Sequence, residues 1–282
     1  MTIDSLPPLK DVIAHHNLSA QRSLGQNFLL DLNITDKIAR LAFRSLTNAA
    51  DTHLFEIGPG PGGLTRSLLK LETRKVSAIE FDPRAIHALQ DLSDAAAGRL
   101  ELLHRDAIEA DLLSLGQAPR AIVANLPYNI ATPLLIAWLK QIRTDCTAYE
   151  SMTLMFQKEV GQRICAPTGS KNYGRLSVIC QWLCHAQILY DLPPSAFTPP
   201  PKVHSSVVQL IPKSWSEETP RFKTIEKLTA QAFNQRRKMI RQSLKPYVDL
   251  LETLGLDTSL RAENLSVADY IALAQAVEAQ DL

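Results

Sequence analysis

The segment Asn125-Leu126-Pro127-Tyr128-Asn129-Ile130 sets an amide, a proline and an aromatic ring within four residues. That combination suits the handling of an unpaired purine. The exocyclic amine of adenine is a poor nucleophile because its lone pair is delocalised into the ring. Two acceptors aimed at its two N–H bonds, the Asn125 side-chain oxygen and the Pro127 backbone carbonyl, favour pyramidal geometry and direct the lone pair at an electrophile. Tyr128 can stack on the base and hold its plane. Read without a ligand, the same residues make a β-α turn in which Asn125 caps the backbone and Tyr128 joins a core.

A second segment, Glu56-Ile-Gly58-Pro-Gly60-Pro-Gly-Gly63-Leu-Thr65, contains G-x-G-x-x-G between an expected strand and an expected helix. Glycines there let the backbone turn sharply and approach a ligand closely. Glu80, at the end of the next expected strand, can accept both hydroxyl hydrogens of a ribose; Glu56 is a less certain participant. Loop and acid together suit either NAD, with its pyrophosphate at the helix N-terminus, or S-adenosylmethionine, which has ribose and adenine but no phosphate. A tight turn with no ligand is the plainer alternative. Cys146, Cys165, Cys180 and Cys184 include no C-x-x-C and no zinc-ligand spacing, so neither a disulfide framework nor a metal is expected.

The elements that must position these loops follow from hydrophobic patterning. Short β-rich runs at 53–57, 76–81, 100–103, 121–124, 151–157, about 186–190 and 205–211 alternate with helix-like segments. This is the pattern of βαβ units on a mostly parallel sheet. Asp82 reads as an N-cap with Pro83 at the first helical position, and Ser266 as the cap of a last helix. Strand signals stop after Pro212, and 213–221 reads as a linker into a helical tail. The expected organisation is therefore an α/β domain over 1–212 and a helical domain over 213–282. No apolar run reaches the ~20 residues of a membrane span, and no signal peptide is visible, so a cytoplasmic protein is expected.

The 282 residues carry a net charge of only +1, which at first argues against nucleic acid, but the sum conceals a distribution. Residues 1–199 hold 19 Lys/Arg and 19 Asp/Glu, 200–248 hold 10 and 3, and 249–282 hold 1 and 7. Within 233–245, Arg237, Arg241 and Lys245 fall at i, i+4 and i+8, widened by Arg236 and Lys238. A basic helical stripe that lies against phosphates is expected; a solvated cationic face is the alternative.

From about Ser23 to Asp269 the chain closely resembles the bacterial small-subunit (16S) rRNA adenine N6,N6-dimethyltransferases, the kasugamycin-sensitivity enzymes. The likeness includes SLGQNFL (23–29), EIGPGPGGLT (56–65), the Glu80 strand end, Asp106-Ala107, NLPYNI (125–130), QKEV (157–160), YGRLSV (173–178), PPSAFTPPPKV (193–203), AFNQRRK (232–238) and RAENLSV (261–267). The resemblance implies a class-I methyltransferase fold, Rossmann-like with a seven-stranded mostly parallel sheet, and a small all-helical C-terminal domain. It implies S-adenosylmethionine as cofactor, no metal, and dimethylation of two adjacent adenines in the small ribosomal subunit or its precursor by a monomer. Asn27, Leu29 and Gly58 would contact the cofactor, Glu80 its ribose, Asp106 its adenine amine, and Asn125 would sit between cofactor and target base. Phe197 would form the second aromatic face around that base, opposite Tyr128; a core anchor is nearly as good a reading. A non-catalytic assembly factor, an NAD-dependent oxidoreductase and a large-subunit rRNA methyltransferase are the competing functions. The PPSAFTPPPKV and NQRRK segments favour the small subunit.

Overall fold

In a computed structural model, which describes residues 2–20, 25–215 and 218–280, the strands along the chain are β1 (Phe28–Leu29), β2 (His53–Ile57), β3 (Lys75–Glu80), β4 (Leu100–His104), β5 (Arg120–Ala124), β6 (Ser151–Gln157), β7 (Cys184–Leu192), β8 (Phe197–Thr198) and β9 (Ser205–Pro212). Seven of them form one sheet in the order β4-β3-β2-β5-β6-β9-β7. β4, β3, β2, β5 and β6 run parallel, and β9 joins β6 antiparallel, pairing Gln157 with Ser205 and Met152 with Leu210. The class-I methyltransferase architecture inferred from the sequence is the one observed. Every residue of β2 is buried, and β5 is buried beyond Arg120, as strands covered on both faces must be.

Strand order reverses beside β2. From β2 the chain steps outward through β3 to β4, then crosses to β5 on the other side. The glycine-rich loop after β2 and the Asn-Leu-Pro-Tyr loop after β5 therefore leave neighbouring strand ends in opposite directions, which opens the crevice where α/β sheets bind ligands.

Two compact units divide the chain. The first comprises Met1–Trp138, Thr147–Gly161 and Ile188–Ile211; the second comprises Leu139–Cys146, Gln162–Gln187 and Pro212–Leu282. The expected division at 212/213 lies beside the last of these crossings, but two earlier segments join the C-terminal helices in the second unit. Thus the chain alternates between the units rather than crossing once. Within the second unit, Phe233 stacks on Tyr270 (5.9 Å between ring centroids) and meets Tyr173 edge-on at 6.1 Å. The Tyr270 hydroxyl donates to the Ala262 carbonyl. Ser266 accepts from Asp269 N–H while Asp269 accepts from Ser266 N–H, closing the cap on helix Val267–Gln280. Asp82 caps helix Pro83–Ala88 as expected, accepting from Arg84 N–H.

Candidate active site

One cavity in the first unit is walled by five stretches of chain. These are the segment 25–29, the glycine-rich loop after β2, and the loops after β3, β4 and β5. Asn27, Leu29, Gly58, Glu80, Asp106, Asn125, Pro127 and Tyr128 all line it. Of the SLGQNFL motif, Ser23 and Leu24 lie outside the described residues.

The glycines are required where the walls meet. A Cβ on Gly63 would run into the Leu29 carbonyl, and Gly60, at φ +54°, approaches the Phe28 ring so closely that a Cβ would lie 2.9 Å from it. The first wall is itself held by a two-residue antiparallel ladder, in which Phe28 pairs with Thr198 and Leu29 with Phe197.

Glu80 ends β3 with a carboxylate fixed by three backbone donors. Oε1 accepts from Phe81 N–H (2.8 Å) and Asp82 N–H (2.9 Å), and Oε2 accepts from Gly60 N–H (3.2 Å). Burial pushes its pKa up and these donors oppose that rise. Each carboxylate oxygen can accept more than one hydrogen bond, so the group remains suited to a vicinal diol. Asp106 accepts from Ile108 N–H at 2.9 Å, which turns the loop after β4 into the cavity. Phe81 and Ile108 flank this region and are each 58% exposed. Two large apolar side chains kept in water beside a carboxylate make a slot for a flat, amine-bearing ring. Neither was marked by the sequence reading, because one exposed apolar residue per loop has no periodicity to betray it.

Glu56 lies deeper, 1% exposed, and burial, with Glu80 nearby, raises its pKa to about 8. Thr65 nearby opposes that rise, although Oε2 has no hydrogen-bond partner in good geometry among the described residues. At neutral pH it is mostly the protonated acid, so the cavity floor carries less negative charge than two carboxylates would give.

On the loop after β5, the Asn125 amide nitrogen donates to the Asn27 carbonyl at 2.9 Å. This fixes the amide's orientation and leaves Oδ1 as the acceptor without a partner among the described residues. Pro127 departs from expectation. Its carbonyl already accepts from Ile130 N–H and Ala131 N–H, both at 3.1 Å, because the loop runs directly into helix Tyr128–Thr144 and that carbonyl starts the helical ladder. The Leu126 carbonyl, one residue earlier in the cavity wall, has no such partner among the described residues. Tyr128 is half-buried, with its hydroxyl 2.6 Å from that of Ser205.

Phe197 is not where a base-sandwiching ring was expected. It is 3% exposed, packs in the core with Leu29, Leu64, Met155 and Val207, and does not line the cavity. Its pairing with Leu29 turns the ring inward, where burial of an aromatic side chain stabilises by roughly 2–3 kcal/mol. The core-anchor reading is the one this geometry supports.

In the second unit, Arg236, Arg237, Lys238, Arg241 and Lys245 are all exposed, yet they form no single helical stripe. Helix Phe222–Asn234 ends before them, residues 235–239 are non-helical, and Ile240–Ser243 is one turn only. The run Gln235-Arg-Arg-Lys238 offers no apolar face to bury, and packing rather than propensity sustains most helices. The break allows Ile240 and Leu244 both to become fully buried, with Ile240 N–H donating to the Leu260 carbonyl at 2.7 Å. Arg236 donates to the Lys171 carbonyl and lies 3.6 Å from Glu263.

Residues 17–279 match a family described as ribosomal RNA adenine dimethylase. The chain is similar to the "Ribosomal RNA small subunit methyltransferase A" of Rhodospirillum rubrum, with 51% identity over 279 residues, 98% of this chain and 94% of that protein. A protein of the same name from Bradyrhizobium diazoefficiens is 53% identical over 278 residues, 97% of this chain and 96% of its own. Among solved structures, a dimethyladenosine transferase from Plasmodium falciparum matches with a TM-score of 0.76 and 27% identity, over 89% of this chain and 97% of that one. The 23S rRNA methyltransferase ErmE shares the fold, with a TM-score of 0.67 at 22% identity over 89% of this chain and 100% of its own.

Proposed function

From the chain's membership of the ribosomal RNA adenine dimethylase family, we propose that its cavity presents an unpaired small-subunit rRNA adenine to S-adenosylmethionine across Asn125. The enzyme is an S-adenosylmethionine-dependent rRNA adenine dimethyltransferase. Its substrate in this reading is a pair of adjacent adenines near the 3′ end of 16S rRNA, in the small subunit or its late precursor.

The cavity's residues fit the cofactor. Glu80, aligned by backbone donors, suits the ribose hydroxyls; Asp106, with Phe81 and Ile108 on its flanks, suits the adenine ring and its amine. Gly58 and Gly60 leave room for the methionine part, and Asn27 and Leu29 close the far wall. When bound, S-adenosylmethionine supplies a methyl group already activated on a sulfonium, so the protein's contribution is near-attack geometry rather than a strong base. The observation that carries the reading is the hydrogen bond from Asn125 Nδ2 to Asn27, which reserves Oδ1 for one N–H of the target amine. The second acceptor is the Leu126 carbonyl in place of Pro127. Tyr128 stacks on the base. Accepting two N–H bonds in the first transfer and one in the second requires open space beside Asn125 for the methyl already added.

Catalysis belongs to the first unit. The exposed cations of the 236–245 segment contact RNA phosphates, setting affinity without reading sequence. The enzyme acts as a monomer in this reading. No helix among the described residues is long and apolar enough to cross a membrane, and we place the enzyme in the cytoplasm with ribosome precursors. Incubation with labelled S-adenosylmethionine and unmethylated small subunits, followed by mapping of the modified nucleotides, tests this reading. Label in two adjacent adenines near the 3′ end is expected; label only in large-subunit RNA would overturn it.

A further inference from the structure

The Tyr128 hydroxyl points at a residue that the adenine chemistry does not itself need. Ser205 is fully buried and opens β9. Its hydroxyl lies 2.6 Å from the Tyr128 oxygen, and burial holds that phenol above its usual pKa, so the pair is two neutral hydroxyls joined by a hydrogen bond. Stacking on a base requires only the flat ring, which phenylalanine would also provide. The hydroxyl therefore has a separate use.

We propose that Ser205 is a positioning residue that pins the far end of the Tyr128 ring and so fixes the position and axis of the ring against which the target adenine lies. The Tyr128 oxygen lies on the axis of χ2, so a hydrogen bond there fixes the direction of the ring axis through χ1, and it orients the ring face only through the preference of a phenol O–H to lie in the ring plane; χ2 is otherwise broad. The anchor itself cannot drift. Ser205 pairs with Gln157 across the β6–β9 ladder, and Lys158 N–H donates to the carbonyl of His204, immediately before it, at 2.8 Å. The next residue, Ser206, donates to Asp191, whose carboxylate pairs with Lys158 at 2.6 Å. Gly161 keeps the neighbouring helix close, since a Cβ there would lie 3.0 Å from Ser206. The contacts named on the anchor side belong to the sheet and to the helix Lys158–Ile164 that follows β6 rather than to the reactants, as a preorganised platform requires.

The inference rests on Tyr128 stacking, and the test separates the two. Single-turnover methylation of unmethylated small subunits is measured for Tyr128→Ala, Tyr128→Phe, Ser205→Ala, Ser205→Thr and the Tyr128→Phe/Ser205→Ala double variant, with melting temperatures taken for each. Loss of the shared bond should slow transfer about five- to tenfold in Tyr128→Phe and in Ser205→Ala, without changing the Kd for S-adenosylmethionine. The double variant should be no slower than either single, and Ser205→Thr, which keeps the hydroxyl, should recover the rate. Multiplying effects, a wild-type rate in Ser205→Ala, or a slowing that merely follows a lowered melting temperature would each overturn the role given to Ser205. A wild-type rate in Tyr128→Ala would instead overturn stacking.

Discussion

The loop 125–128, proposed to face the target adenine, and the basic segment 236–245 are built by opposite means. Asn125 has its amide held by Asn27, Tyr128 its hydroxyl by Ser205, and Glu80 its carboxylate by three backbone N–H groups. Arg237, Lys238 and Lys245 stand in solvent with no ion pair to a described residue. Methyl transfer tolerates only a narrow range of angles and distances, so its groups are restrained before substrate arrives. Phosphate attraction acts over a Debye length and needs charge more than angle. Restraint marks the chemistry, and freedom marks the affinity.

The largest test of that contrast is Asn125→Ala. It should lower the rate of dimethyladenine formation by about 10²–10³-fold, as loss of an oriented polar group at a reacting centre does, while leaving subunit binding intact. Quantifying mono- and dimethyladenine by mass spectrometry checks it, and an undiminished rate would remove the amine-positioning role. A smaller effect of the opposite kind is expected from Arg237→Glu with Arg241→Glu. Binding to small subunits should weaken about tenfold or more near 0.1 M salt, and the slope of log affinity against log salt should fall by about 2. Turnover at saturating substrate should hold. If the rate constant fell and the salt slope did not, the division of labour drawn above would be wrong.

The smallest expected effect concerns buried charge within the catalytic unit. Glu56 is held protonated, with a pKa of about 8 against an ordinary value near 4.5. Between those values the unfolded chain binds fewer protons than the folded one. The stability this group contributes is therefore complete below about 4.5 and is lost as pH rises through 8. Glu56→Gln should thus melt at a progressively higher temperature than the parent as pH is raised from 5 to 8, by several degrees at the upper end. Thermal melts across that range read the difference, and a constant offset would contradict it. His53, at the opposite end of β2, works in the other direction. Burial depresses its pKa to about 4 from 6.5, so its contribution is present above 6.5 and lost as pH falls toward 4.

Much of this arrangement was legible in residue order. Buried parallel strands such as β2 and β5 read as apolar runs because both faces of the sheet demand the same residue types, and all seven sheet strands lay within a few residues of their expected bounds. Glu80 and Asn125 were legible because one ends a strand and the other directly follows one, whereas Asp106 was legible only through the family resemblance. Phe197 and Pro127 were not, since a ring's direction depends on β1–β8 pairing, and a carbonyl's availability depends on where the next helix begins. The interrupted basic helix escaped for a related reason. Spacing at i, i+4 and i+8 describes a stripe only if the helix continues, and that was decided by burial of Ile240 and Leu244 rather than by the charges. Phe81 and Ser205 read only as ends of expected strands, and Ile108 carries no pattern; only proximity in the folded chain gives them meaning.

The two-residue ladder of Phe28 and Leu29 with Phe197 and Thr198 bears on the protein's own synthesis. A nascent chain that has emerged only through residue 130 already contains Gly58, Glu80, Asp106 and Asn125, yet the strand that secures the 25–29 wall has not been made. The crevice can gain its last wall only after Thr198 leaves the ribosome. A fragment released early would therefore carry the cavity-lining side chains without the ladder that closes the wall beside them.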